Sequence, residues 1–144
     1  MTVRALFDVN VLIALFQPDH IHHLRVHQWW ETHQHLGWAS CPLTENGFVR
    51  IISQPKYPMP QTIPAAIKLL NMAKDATDHE FWPDSVSLLD TALFDANGFT
   101  QHSQITDSYL LALAVKNNGR LVSLDQNIKT STIVGFVEQQ LQVI

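Results

Sequence analysis

Residues 105–125 read Ile-Thr-Asp-Ser-Tyr-Leu-Leu-Ala-Leu-Ala-Val-Lys-Asn-Asn-Gly-Arg-Leu-Val-Ser-Leu-Asp. The middle of this stretch is apolar almost all round, which predicts a helix buried on every side rather than one lying on a surface. Thr106 is the expected N-cap and Gly119 the expected left-handed residue just past the helix end at Asn118. A short apolar strand, Leu121 to Leu124, follows at once and stops at Asp125. A buried helix leading directly into a buried strand is the repeating unit of a parallel sheet covered on both faces.

The same pattern recurs toward both termini. Val3 to Phe7 is a β-compatible apolar run ending at Asp8, followed by the helical Val11 to Phe16 and the break Gln17-Pro-Asp19. His20 to His35 reads as a partly amphipathic helix, and Gly37 to Ser40 as a second strand. Pro42 suits the first turn of a helix running from Leu43 to about Ser53, with Phe48, Ile51 and Ile52 inward. Gln54 to Pro60 holds three prolines in seven residues and predicts an extended loop. Pro64 opens a helix to about Lys74 with Ile67, Leu70 and Met72 among its apolar positions. A third strand is expected over His79 to Trp82, a short helix around Val86 to Leu93, and an edge strand at Val143-Ile144. The fold class is therefore α/β, a three-layer α/β/α sandwich around a central parallel sheet, in a single domain over residues 1–144.

Bulk properties narrow the function classes. A chain of 144 residues with 46% hydrophobic content, four Trp and seven Phe can bury a sizeable core. A formal charge of −4, with nine Lys and Arg scattered along the chain, counts against a broad basic surface gripping nucleic acid through phosphates alone. The single cysteine, Cys41, permits no intrachain disulfide, which suits a reducing cytoplasm. Beside Pro42 it reads as a small buried hydrophobe, not a nucleophile. Asp8 interrupts the N-terminal apolar run too early for a signal peptide, and no stretch approaches the ~18 apolar residues of a membrane span.

Four acids stand at comparable junctions. Asp8 and Asp125 end strands, Asp107 opens the buried helix, and Glu45 lies in the first turn after Pro42. Each has a plain reading: helix cap for Asp8, dipole partner for Asp107, turn former for Asp125, ordinary first-turn acid for Glu45. Together they point elsewhere, because strand ends and helix starts converge at one edge of an open α/β sheet. Carboxylates crowded there repel unless a cation lies between them, and oxygen clusters suit Mg²⁺ or Mn²⁺. The remaining acids look like scattered surface charge.

At these residues the chain resembles the PIN-domain ribonucleases, specifically VapC-type toxins of bacterial toxin–antitoxin pairs. The carrying segments are Leu6-Phe-Asp-Val-Asn-Val-Leu12, Cys41-Pro-Leu-Thr-Glu-Asn-Gly-Phe-Val-Arg-Ile51, Ile105 to Ala114 and Gly119 to Asp125, in family order over almost the whole chain. The resemblance implies that Asp8, Glu45, Asp107 and Asp125 are the catalytic, metal-binding acids, with Asn10 and Ser123 as polar support. It implies hydrolysis of RNA with Mg²⁺ or Mn²⁺, inhibition by a cognate antitoxin, a homodimer and a cytoplasmic location. The stretch Asp84 to Gln104 matches the family pattern least.

Other readings compete. A non-catalytic binding protein would keep this fold, although four intact acids argue against it. A haloacid-dehalogenase-like phosphatase would want a second Asp at position 10, which is Asn. A receiver domain would want a lysine after a late strand, where Lys129 is poorly placed. His23 and His27 have i, i+4 spacing, but a zinc site needs about four converging ligands, so a solvated helix face is expected for the histidines. Trp29, Trp30 and Trp38 are expected in the core or at a contact, and Arg50, Lys116 and Arg120 are candidates for phosphate contact by residue type.

Overall fold

The computed structural model describes residues 3–144. Strands β1 (Ala5–Phe7), β2 (Trp38–Ser40), β3 (His79–Phe81), β4 (Arg120–Ser123) and β5 (Leu141–Val143) form one sheet in the order β3-β2-β1-β4-β5. Every neighbouring pair is parallel. The chain steps outward from β1 through β2 to β3, then crosses to the other side of β1 for β4 and β5. The direction of winding thus reverses between β1 and β4, which makes a crevice at the carboxyl ends of those two strands.

Helices cover both faces. The side chains of Ala5, Phe7, Trp38 and Val122 point to the face occupied by α1 (Val9–Phe16), α2 (His23–His33), α3 (Pro42–Ile52) and α4 (Ile63–Ala76). Leu6, Ala39 and Leu121 point to the other, where α5 (Ile105–Lys116) lies with its middle, Leu110 to Ala114, fully buried. This is the expected three-layer sandwich. Strand alternation means that each buried run feeds both cores, which explains the absence of a polar face in the sequence.

Trp29, Trp30 and Trp38 belong to the first core and Trp82 to the second. Phe7 stacks on Trp38 at 5.3 Å between ring centroids and meets Trp29 and Trp30 edge-on at 5.8 and 5.7 Å. Such pairs contribute about 0.5–1.5 kcal/mol each beyond area burial. Among the described residues, no helix is long and apolar enough to cross a membrane.

Three local expectations are corrected. No helix forms over Val86–Leu93; that segment is a series of turns. Ser87 Oγ accepts from Leu89 N at 3.1 Å and Asp90 Oδ1 from Ala92 N at 2.9 Å, so short polar side chains capture the amides a helix would need. Thr106 is not the N-cap of α5, which starts at Ile105 directly after a 3₁₀ turn over His102–Gln104. Gly119 is not the left-handed residue either. Asn118 takes that conformation at φ 56°, and the amides of Asn118 and Gly119 donate to Val115 O and Ala114 O, closing the helix. Glycine is required at 119 for space, because a Cβ there would lie 2.5 Å from Trp82 Cη2 and 2.6 Å from Arg4 O.

Candidate active site

Asp8 follows β1 and caps α1, its Oδ1 accepting from Val9 N at 2.8 Å. Its Oδ2 accepts from the hydroxyl of Ser123, the last residue of β4, at 2.7 Å. The same hydroxyl oxygen accepts from Asp125 N at 3.0 Å and Asn10 Nδ2 at 3.2 Å. Asn10 Oδ1 in turn accepts from Leu124 N at 3.1 Å. Ser123 thereby uses its one donor and both lone pairs to join Asp8, Asn10 and Asp125 across the β1–β4 crevice.

α5 runs antiparallel to β4, so its N-terminus returns to the same edge and brings Asp107 in its first turn. The adjoining Ser108 is buried and shares a 2.7 Å hydrogen bond with Thr132, which ties the helix start to the turn after Lys129.

Electrostatics register the convergence. Burial is the main cause that raises the Asp107 carboxyl to a pKa of about 6, followed by the charges of Asp8 and Asp125. Asp8 is also raised, chiefly by burial, against the opposing effect of its hydrogen bonds to Ser123 and Val9. Among the described residues, none of Asp8, Asp107 and Asp125 has a Lys, Arg or His within ion-pair distance. The crevice is an uncompensated anionic site.

Glu45 stands one strand further out, in the first turn of α3 after β2. Its Oε2 accepts from Ser40 Oγ at 2.6 Å, and Ser40 Oγ lies 2.7 Å from His79 Nε2. With the serine proton given to Glu45, His79 donates from Nε2. A neutral imidazole fits this, since burial and then Lys74 and Arg4 lower the His79 pKa. The structure thus gathers three of the four acids at the crevice and holds the fourth on a separate Ser–His pair beside it. α3 approaches α1 closely through Gly47, where a Cβ would fall 2.8 Å from Val9 Cγ2.

Ser40 and His79 escaped the sequence reading. Ser40 ends a strand just before the helix-starting Pro42, a position that could have marked it. His79 carried no signal, because its pairing depends on β3 lying beside β2.

The donor set suits a hard divalent cation, being all carboxylate oxygen and lacking any local positive charge. Among the described residues, no three Asp, Glu, His or Cys side chains are close enough to ligate one ion by themselves. Water would complete the shell, as it usually does for Mg²⁺. The histidines of α2 are engaged locally: His23 Nδ1 donates to Ala14 O at 2.8 Å, and His27 lies 3.5 Å from Glu31. Arg120 sits at the amino end of β4 over the Trp29 ring, and the Lys116 ammonium donates to Ser85 O at the far end of α5. Neither faces the crevice. Cys41 is buried with its thiol pKa raised, chiefly by desolvation.

Residues 5–131 match the PIN domain. The chain belongs to the PIN-domain family. The PIN assignment sets aside the phosphatase and receiver readings. This PIN domain is similar to Ribonuclease VapC44 of Mycobacterium tuberculosis, with 46% identity covering 99% of this chain and all of the relative. It is 42% identical to Ribonuclease VapC39 of the same organism over 94% of this chain and 99% of the relative. Ribonuclease VapC38 is 42% identical over 88% of each.

Proposed function

We propose that this PIN domain is a divalent-metal-dependent endoribonuclease, the toxin of a toxin–antitoxin pair, and that Asp8, Asp107 and Asp125 form its catalytic metal site with Glu45 in support. The observation that carries this is the meeting of three carboxylates without a counter-cation at the β1–β4 crevice, in a chain so similar to named ribonucleases over its full length. When bound, Mg²⁺ or Mn²⁺ supplies Lewis-acid activation of a water and charge stabilisation on the phosphodiester. Asp8 is positioned by Ser123, Asp125 by its own backbone bond to the same serine, and Asp107 by the neighbouring Ser108–Thr132 bond that anchors the start of α5. Asn10 locks the serine in place. Glu45 acts from the side, directly or through water.

Several features support a partner. Met72 on α4 is 58% exposed, and Ile21 and Leu24, just before and in the first turn of α2, are 87% and 68% exposed. Apolar groups left in water on two helices suit a protein surface to cover them. A cognate antitoxin and a second copy of the chain are the partners this reading assigns, in a cytoplasmic setting.

The test is cleavage of a panel of structured RNAs by purified protein in Mg²⁺ or Mn²⁺, with EDTA and Asp8→Asn as controls. Cleavage that disappears in both controls supports the reading. Cleavage that survives Asp8→Asn moves the chemistry to another site.

A further inference from the structure

Between α3, α4 and the edge strand β3 lies a groove of about 840 Å³ with Glu45 on its rim. This volume falls within the ~300–1,000 Å³ of small-ligand pockets. Helical spacing builds its walls: Asn46 and Arg50 lie one turn apart on α3, and Asn71 and Lys74 face them from α4. Alternation along β3 adds His79 and Phe81. Phe81 is 50% exposed, an aromatic face left open beside the carboxyl edge of the sheet.

The polar groups here are uncommitted. Among the described residues, the side chains of Asn46, Arg50, Asn71 and Lys74 make no hydrogen bond or ion pair within the protein. Most other cations are occupied. Arg4 pairs with Asp78 and Glu80, Arg25 contacts His22, Lys116 donates to Ser85 O, Arg120 covers Trp29, and Lys129 contacts Thr100. In a chain of net charge −4, two idle cations and two idle amides thus line one cavity, which Glu45 also lines.

We infer that this groove is a nucleotide subsite that holds one unpaired base of the RNA and its flanking phosphates next to the scissile bond. The inference rests on the ribonuclease reading above. Phe81 offers a stacking face, and single-stranded RNA is read through such faces and through hydrogen bonds to exposed base edges. Asn46 and Asn71 each present a donor and an acceptor that suit a base edge. Arg50 lies five residues beyond Glu45, about 7.5 Å along the helix axis, so a backbone leaving the acidic site would meet its guanidinium next. Lys74 faces the same backbone from the opposite wall. Glu45 is thereby the junction between chemistry and recognition. A purely apolar partner segment would leave all four polar groups desolvated and unpaired, which is costly.

Asn71→Ala, Arg50→Gln and Phe81→Ala change exposed residues, so each variant should fold, as checked by its Tm. We expect each to raise KM for RNA about tenfold, with the smaller part of the loss on kcat, and Asn71→Ala to relax base preference beside the cut. Anisotropy of a labelled single-stranded oligonucleotide in the Asp8→Asn background with Mg²⁺ reads binding apart from chemistry, and the same tenfold loss is expected. Wild-type KM and affinity in all three variants overturn the subsite while leaving the ribonuclease reading intact. Wild-type affinity combined with loss of self-association or of protein-partner binding overturns it in favour of a protein interface. A wild-type protein that cuts no RNA, yet loses affinity in the variants, fails the nuclease reading and supports the subsite.

Discussion

The hydroxyl of Ser123 donates a 2.7 Å hydrogen bond to Oδ2 of Asp8, across 115 residues of chain and between the two strands that flank the switch point. Removing it should have two readable consequences. Ser123→Ala leaves a buried carboxylate short of a charge-assisted partner, which costs about 1.5–3 kcal/mol in stability. Loss of the same orientation should lower RNA cleavage by about 10–100-fold. Ser123→Thr keeps the hydroxyl and should keep most of both, measured by denaturant unfolding and by cleavage rate.

Asp107 gives the pH dependence. Its folded pKa of about 6 lies above the ordinary 3.8, so its protonated form is favoured in the folded state. The stability this represents is fully present below pH ~4 and is lost as pH rises through about 6. Metal-free protein should therefore lose Tm between pH 4 and 6.5 from this group, and Asp107→Asn should flatten that change. Binding of a divalent ion competes with the proton. The rise in Tm on adding Mg²⁺ should be larger at pH 7.5 than at pH 5.5, and an equal rise at both would count against Asp107 as a ligand.

Gly47 tests the spacing of the two carboxylate-bearing helices. Alanine is ordinarily better than glycine inside a helix by about 1 kcal/mol. Here its Cβ would lie 2.8 Å from Val9 Cγ2, next to Asp8. Gly47→Ala should instead destabilise by about 1–2 kcal/mol and reduce cleavage, because α3 must move with Glu45 on it. Val9→Ala in the same chain should restore stability, and a double-mutant cycle measures the coupling.

Ser40 controls Glu45. Ser40→Ala removes the 2.6 Å bond to Oε2 and the link to His79. The carboxylate then samples several rotamers, and the divalent-ion concentration for half-maximal cleavage should rise about tenfold. Calorimetric Mn²⁺ titration provides a readout independent of turnover. Unchanged metal dependence would remove Glu45 from the metal site.

Some of this architecture is legible in the sequence itself. The apolar runs ending at Asp8 and Asp125, and the all-round apolar Asp107 helix, are local statements about burial, and burial on both faces leaves little choice besides a covered parallel sheet. Where the reading failed, a distant group had intervened. Gly119 looked like a helix-ending glycine, yet Trp82 and Arg4 demand its missing side chain while Asn118 takes the positive φ. Val86–Leu93 looked helical until Ser87 and Asp90 bonded their own neighbours and Phe94 bridged to Ile133.

By itself the sequence determined which stretches are apolar, where strands and most helices lie, and that acids punctuate them, since propensity, capping and hydrophobic period act over a few residues. The tertiary structure alone decided which strands are neighbours. That order puts Asp8, Asp107 and Asp125 in one crevice, sets Glu45 on Ser40 and His79 one strand away, and turns Asn46, Arg50, Asn71 and Lys74 toward a common groove. The reason is physical: a hydrogen bond or a charge effect falls off within a few ångströms, and only the folded chain brings residues a hundred positions apart within that range.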